Sequence, residues 1–89
     1  MDMRKLVGRN VRRARQKRGL TQEQFAEVSG FSQQYISSLE QGQRNPTIIT
    51  LYELAAALGV NHIDLVKPSK KLKEAGLGRR AARTPRSEA

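Results

Sequence analysis

Between its apolar stretches this chain three times sets a glycine two residues before a side chain that can cap a helix: Gly19 before Thr21, Gly30 before Ser32, and Gly59 before Asn61. A glycine just past a helix accepts the left-handed backbone that ends it. A Thr, Ser or Asn oxygen then satisfies free N–H groups at the start of the next helix. This punctuation rules out long helices. Between the marks no segment alternates apolar and polar residues for long enough to make a convincing strand. The expected fold is all-α: a compact set of five short helices joined by tight turns.

Each interval supports that expectation. Residues 3–18 place Leu6, Val7, Val11 and Ala14 at helical spacing among Arg and Lys, with Gly8 inside the pattern. Thr21 with Gln24 three residues on is a capping-box signature, and Phe25, Ala26 and Val28 supply an apolar side. Ser32 opens a third helix, with Ile36 and Leu39 turned inward, and Gly42 ends it. Asn45-Pro46 signals a turn. Thr47 caps a fourth helix whose stripe is Leu51, Leu54, Ala55 and Leu58. Asn61 and Asp64 frame a short fifth helix over "HIDLVK", which Pro68 stops. One domain is therefore expected over residues 1–67 and a basic, flexible tail over 68–89, with one possible helical segment from Ser69 to Ala75.

Charge bounds the partner. Seventeen Lys and Arg stand against eight Asp and Glu, a net +9. Residues 1–66 hold nine basic and six acidic groups; residues 67–89 hold eight and two. Such an excess points to a polyanion: DNA, RNA or an anionic membrane. No apolar run is long enough to span a membrane, and the N-terminus lacks the apolar core of a signal peptide. A cytoplasmic, nucleoid-associated location is expected. With no cysteine and only His62 as a histidine, no metal site, cofactor or enzymatic general-base pair is expected.

The third helix has an unusual wet face. Instead of Lys and Glu it carries Gln33, Gln34, Ser37 and Ser38. Two short helices joined by a glycine turn form a helix-turn-helix unit, with Ala26 small at the crossing and Gly30 in the turn. A helix in the DNA major groove must match base-edge donors and acceptors. A glutamine amide can hold adenine N6 and N7 together, worth about 1 to 3 kcal/mol of discrimination. Lysines on that face would grip phosphates without reading sequence. Each of these side chains could equally belong to a merely solvated face; their joint placement in the unit favours base contact.

The stretch "LTQEQFAEVSGFSQQYISSLEQGQRNPTIITLYELAAALGV" resembles the Cro/C1-type (XRE) helix-turn-helix family. The likeness spans roughly residues 6–66 and is carried by Thr21-Gln22, Ala26, Gly30, Ser32, Ile36, Leu39-Glu40, Gly42, Pro46, Leu54-Ala55 and Leu58-Gly59. It implies a five-helix, lambda-repressor-like domain that binds double-stranded DNA as a homodimer on a palindromic operator. It places Gln33, Gln34, Ser37 and Ser38 at base-reading positions. Gln33-Gln34 looks like the paired glutamines of lambdoid phage repressors. Gln22 falls where family members touch a phosphate and brace the first reading glutamine. Arg44 and Asn45 match backbone-contacting loop positions. Apart from the resemblance, Ser32, Tyr35 and Arg12 are also expected to meet the DNA backbone, with packing beside helix 1 or 4 as the alternative for Tyr35. Ser29 stands where alanine is commoner in the family.

Other side chains admit two readings. Arg12, Arg13 and Arg15 are expected to be mostly solvated, one or two meeting phosphate. Ile48, Ile49, Tyr52, Leu54, Ile63, Leu65 and Val66 exceed the apparent need of one small core. From these, Ile48, Tyr52, Ile63 and Val66 are expected to form a two-fold interface; the alternative buries them within the monomer. The leading function is a transcriptional regulator, expected to repress by occupying a promoter, often its own. RNA polymerase or a regulatory protein is a possible further partner. The alternatives are an antitoxin-like protein-interaction module and a sequence-blind RNA or membrane binder driven by the tail.

The tail either tracks phosphates or only solubilises. Deletion of residues 69–89 decides between them. Tail contacts predict a salt dependence shallower by about one unit of slope per phosphate lost; an unchanged slope in salt-titrated DNA binding assigns the solubilising role.

Overall fold

The computed structural model describes residues 2–68. Four α-helices follow in order: α1 (Met3–Lys17), α2 (Gln22–Ser29), α3 (Gln33–Glu40) and α4 (Ile48–Leu58). A single 3-10 helix, His62–Leu65, closes the domain. The expected caps are formed. Thr21 and Gln24 complete a reciprocal capping box at α2. The hydroxyls of Ser32 and Thr47 accept from the N–H groups of Tyr35 and Thr50. Asp2 caps α1 by accepting from the N–H of Arg4 and of Lys5.

The fifth element departs from expectation. It is one 3-10 turn rather than an α-helix. Asn61 caps it and Asp64 reaches back to the Asn61 N–H. Pro68 follows three residues after Leu65, and proline disfavours the helical conformation of the residue before it. Too few residues remain for a second turn. The segment expected from Ser69 to Ala75 lies outside the described residues.

The helices enclose a core of Val7, Val11, Phe25, Ile36, Leu39, Leu54, Ala55, Leu58 and Leu65. All four helices and the 3-10 turn contribute to it. Two sequence expectations change here. Val28, read as part of the apolar side of α2, is exposed, and Leu65, counted in the apolar excess, is fully buried; Leu54, counted there too, is fully buried as its place in the α4 stripe implies. The turn between α2 and α3 passes through Gly30 at φ +83°. That left-handed backbone lets two short helices meet at a steep angle.

α3 packs on both α1 and α2. Its approach to α1 is close enough to require glycine. A Cβ built on Gly8 would overlap the Leu39 carbonyl oxygen and stand 2.9 Å from that of Glu40. The residue that weakened the helical pattern in the sequence is therefore the point where α3 seats. Gly8→Ala gains intrinsic helix propensity but drives a methyl into backbone. The expected net effect is destabilisation by about 1 to 3 kcal/mol, measured by urea denaturation.

A candidate nucleic-acid interface on helix 3

α3 presents its polar side outward because its apolar side is anchored. Ile36 and Leu39 have no solvent exposure, so the helix cannot rotate. Gln33 and Gln34 are exposed in its first turn, and Ser37 and Ser38 are half-exposed one turn later. Among the described residues neither glutamine amide makes a hydrogen bond, which leaves both donors and acceptors for an incoming partner. The Ser38 hydroxyl donates to the Gln34 carbonyl oxygen at 2.9 Å, turning its lone pairs outward. Gln41 Nε2 stands 3.5 Å from Ser37 Oγ.

Beneath this face lies a buried charge network that sequence reasoning missed. Arg15 Nε donates to Glu40 Oε2 at 2.6 Å and Nη2 to Glu40 Oε1 at 3.0 Å. Arg15 Nη1 donates to the Leu20 carbonyl at 2.8 Å, and Gln22 Nε2 donates to Glu40 Oε1 at 3.0 Å. The two charged side chains are 10% and 3% exposed. Arg15 is thus not a solvated or phosphate-facing cation. Gln22 braces Glu40; no bond joins it to Gln33 among the described residues. One signal was available: Glu40 is the sole acid in an otherwise neutral helix.

The flank of α3 carries a second assembly. Phe31 and Tyr35 stack with ring centroids 5.2 Å apart, and the Arg44 guanidinium lies 5.3 Å from the centre of the Tyr35 ring. Burial pushes the Tyr35 phenol above its ordinary pKa, opposed by the Arg44 charge. The hydroxyl therefore stays protonated at neutral pH and can donate. Arg44 and Asn45 are exposed in the loop after α3, and Arg12 is exposed on α1. Arg12 lies four residues from Gly8, about 40° round the helix, on the side that meets α3. Ser32 stands at the N-terminus of α3 with its oxygen already accepting from Tyr35.

A separate apolar patch lies on α4 and the 3-10 turn. Ile48 is 79% exposed, Ile49 66%, Tyr52 61% and Ile63 54%. Val66 is half-buried against the core and contributes less to this surface. The His62 ring stands 6.1 Å from that of Tyr52. Among the described residues no group of three His, Cys, Asp or Glu could hold a metal ion, and no helix is long and apolar enough to cross a membrane.

The comparisons agree with the fold. The helix-turn-helix family model HTH_3 matches residues 11–65. An uncharacterized HTH-type transcriptional regulator of Sinorhizobium fredii, y4dJ, is 68% identical over 69 residues, covering 78% of this chain and 90% of that protein. The crystal structure of a hypothetical transcription factor, NHTF, from Neisseria superposes with TM-score 0.75 at 30% identity, covering 83% of this chain and 85% of that one. The restriction-modification controller protein C.Esp1396I, solved as a tetramer in complex with its natural 35 base-pair operator, superposes with TM-score 0.67 at 29% identity, over 73% and 86% of the two chains. The chain belongs to the helix-turn-helix transcriptional regulators of the Cro/C1 type.

The brace under α3 generates a stability prediction. Glu40→Ala leaves Arg15 buried without its counter-charge and should cost about 3 to 5 kcal/mol in chemical denaturation. Adding Arg15→Met should restore much of that loss, because no lone charge then remains inside.

Proposed function

We propose that this protein is a sequence-specific DNA-binding repressor that acts as a homodimer. Each protomer lays α3 in the major groove of one half of a palindromic operator, and bound dimer blocks the promoter. The observation that carries this reading is the uncharged hydrogen-bonding face of Gln33, Gln34, Ser37 and Ser38 on a helix locked from behind by Ile36, Leu39 and the Arg15–Glu40 pair. Groups that read base edges need defined positions, and a locked helix supplies them.

The remaining assignments follow from position. Arg44, Asn45 and Arg12 supply phosphate contacts beside the reading face. The Tyr35 hydroxyl donates to a phosphate while its ring holds Arg44 in place. Ser32 retains its hydroxyl hydrogen for a phosphate oxygen. Gln22 has its side-chain amide bound to Glu40, so its backbone N–H, in the first turn of α2, makes the anion contact. Ile48, Ile49, Tyr52 and Ile63 form the two-fold contact, with Val66 at its edge. Such a dimer sets two reading helices about one turn of B-DNA apart. The tetramer on its operator reported for the Esp1396I controller supports assembly on DNA as the working form.

The test is a titration against DNA from upstream of its own gene and a shuffled duplex, at about 0.15 M salt, where phosphate-only binding is weak. A preference of about a thousandfold or more is expected. Gln34→Ala should relax base preference in each half-site by about 1 to 3 kcal/mol with an unchanged melting temperature. Unaltered base preference in that variant would count against reading by α3.

A further inference from the structure

A second basic surface lies away from α3. Arg13 is five residues beyond Gly8 on α1, about 140° round the helix, and Lys17 is nine beyond, about 180°. Gly8 faces α3, so both cations point to the opposite flank. There, between the second half of α1 and the turn joining α4 to the 3-10 helix, lies an open cleft of about 540 Å3. Ala14, Leu58 and Val60 form its apolar floor, and Arg13, Lys17 and Arg18 its rim.

The polar groups of the cleft are unevenly satisfied. Its one acid, Asp64, is already engaged: it accepts from the Asn61 N–H at 3.4 Å and lies 3.7 Å from Lys67 Nζ. Arg18 Nη1 is 3.4 Å from the Ala57 carbonyl at the end of α4, a long contact that leaves most of its donors free. Arg13 and Lys17 have no acidic partner among the described residues. Asn10 is only 7% exposed and lines the same cleft. Its Nδ2 donates to the carbonyls of Leu65 and Lys67 at 3.0 and 2.8 Å. Two carbonyl partners require that atom to be the nitrogen. Its buried Oδ1 therefore remains an acceptor with no donor among the described residues, and such a group is costly to leave unmet.

We propose that this cleft is a docking site for an acidic segment of another protein. The occupant must offer negative charge to the rim, an apolar side chain to the floor and an N–H to Asn10 Oδ1. A peptide carrying glutamate or aspartate beside leucine-like residues meets all three demands. A nucleic-acid backbone satisfies the rim but has no N–H for Asn10 Oδ1, and its oxygen-flanked sugar carbons cover the floor poorly. Residues 69–89 carry seven basic and two acidic groups, a charge of the same sign as the rim and not its complement. Because the cleft and the reading helix occupy opposite flanks of α1, a protein partner can be held while α3 engages DNA. This inference does not depend on which DNA sequence α3 reads.

The experiment titrates the full, 15N-labelled chain with a short capped peptide of mixed glutamate and leucine. The expected result is movement of the Gly59 and Val60 amides and the Asn10 side-chain amide, with Gln33 and Gln34 unmoved. Arg13→Ala with Lys17→Ala should weaken the peptide about tenfold. Lys5→Ala with Arg9→Ala, which removes the same charge outside the cleft, should leave affinity largely intact. The proposal is overturned if the wild-type chain shows no shifts, or if both double variants weaken the peptide equally, since net charge alone would then explain binding. It is likewise overturned if the shifts fall on α3, or if duplex DNA moves the cleft signals as the peptide does.

Discussion

The bidentate pairing of Arg15 with Glu40 ties together the parts that define this domain. Arg15 sits near the end of α1, Glu40 at the end of α3, Gln22 at the start of α2 and Leu20 in the turn between α1 and α2. One guanidinium and one carboxylate therefore fix the mutual placement of three helices. Burying two charges costs several kcal/mol per ion before their attraction and hydrogen bonds offset it. The offset here comes from two parallel charge-assisted bonds and two further partners. An apolar pair could stabilise the fold as well. What the ion pair adds is geometric: bidentate donors and acceptors meet in one orientation.

That orientation has consequences at the surface. With α3 seated on Gly8 and clamped at Glu40, its neutral polar side is held outward. The cations sort around it. Arg44 is stacked on Tyr35 beside the reading face, Arg12 is on the adjoining side of α1, and Arg13 and Lys17 are turned to the opposite flank. Arg12 and Arg44 thus lie on one surface and Arg13 and Lys17 on another, in different environments. One lies beside uncharged hydrogen-bonding groups, the other over an aliphatic floor with a buried amide oxygen. A single net charge conceals this division.

Much of the domain was legible before any coordinates. Glycine stops and capping side chains mark helix boundaries because they act through local backbone geometry, which travels with the residue. Ile36 and Leu39 could be placed inside α3 because helical spacing is itself local. The fifth element differs from expectation because the cap at Asn61 says where a helix begins, whereas its type depends on how many residues remain before Pro68. The apolar excess was only partly resolved. Leu54 and Leu65 close the core while Ile48, Ile49, Tyr52 and Ile63 stay outside, and hydrophobicity alone does not distinguish them.

The sequence by itself determined the class of fold and the chemical character of the reading helix. Both follow from short-range patterns: caps, glycines, spacing and the absence of charge on one face. Only the tertiary structure decided which arginine is buried, what Gln22 holds and why Gly8 is a glycine. Each of these depends on atoms far apart in the chain, Arg15 meeting Glu40 across 25 residues and Asn10 meeting Leu65 across 55. A cation reads the same in sequence whether it faces water, a phosphate or a buried carboxylate. Its role is set by the dielectric and the partners that folding brings to it.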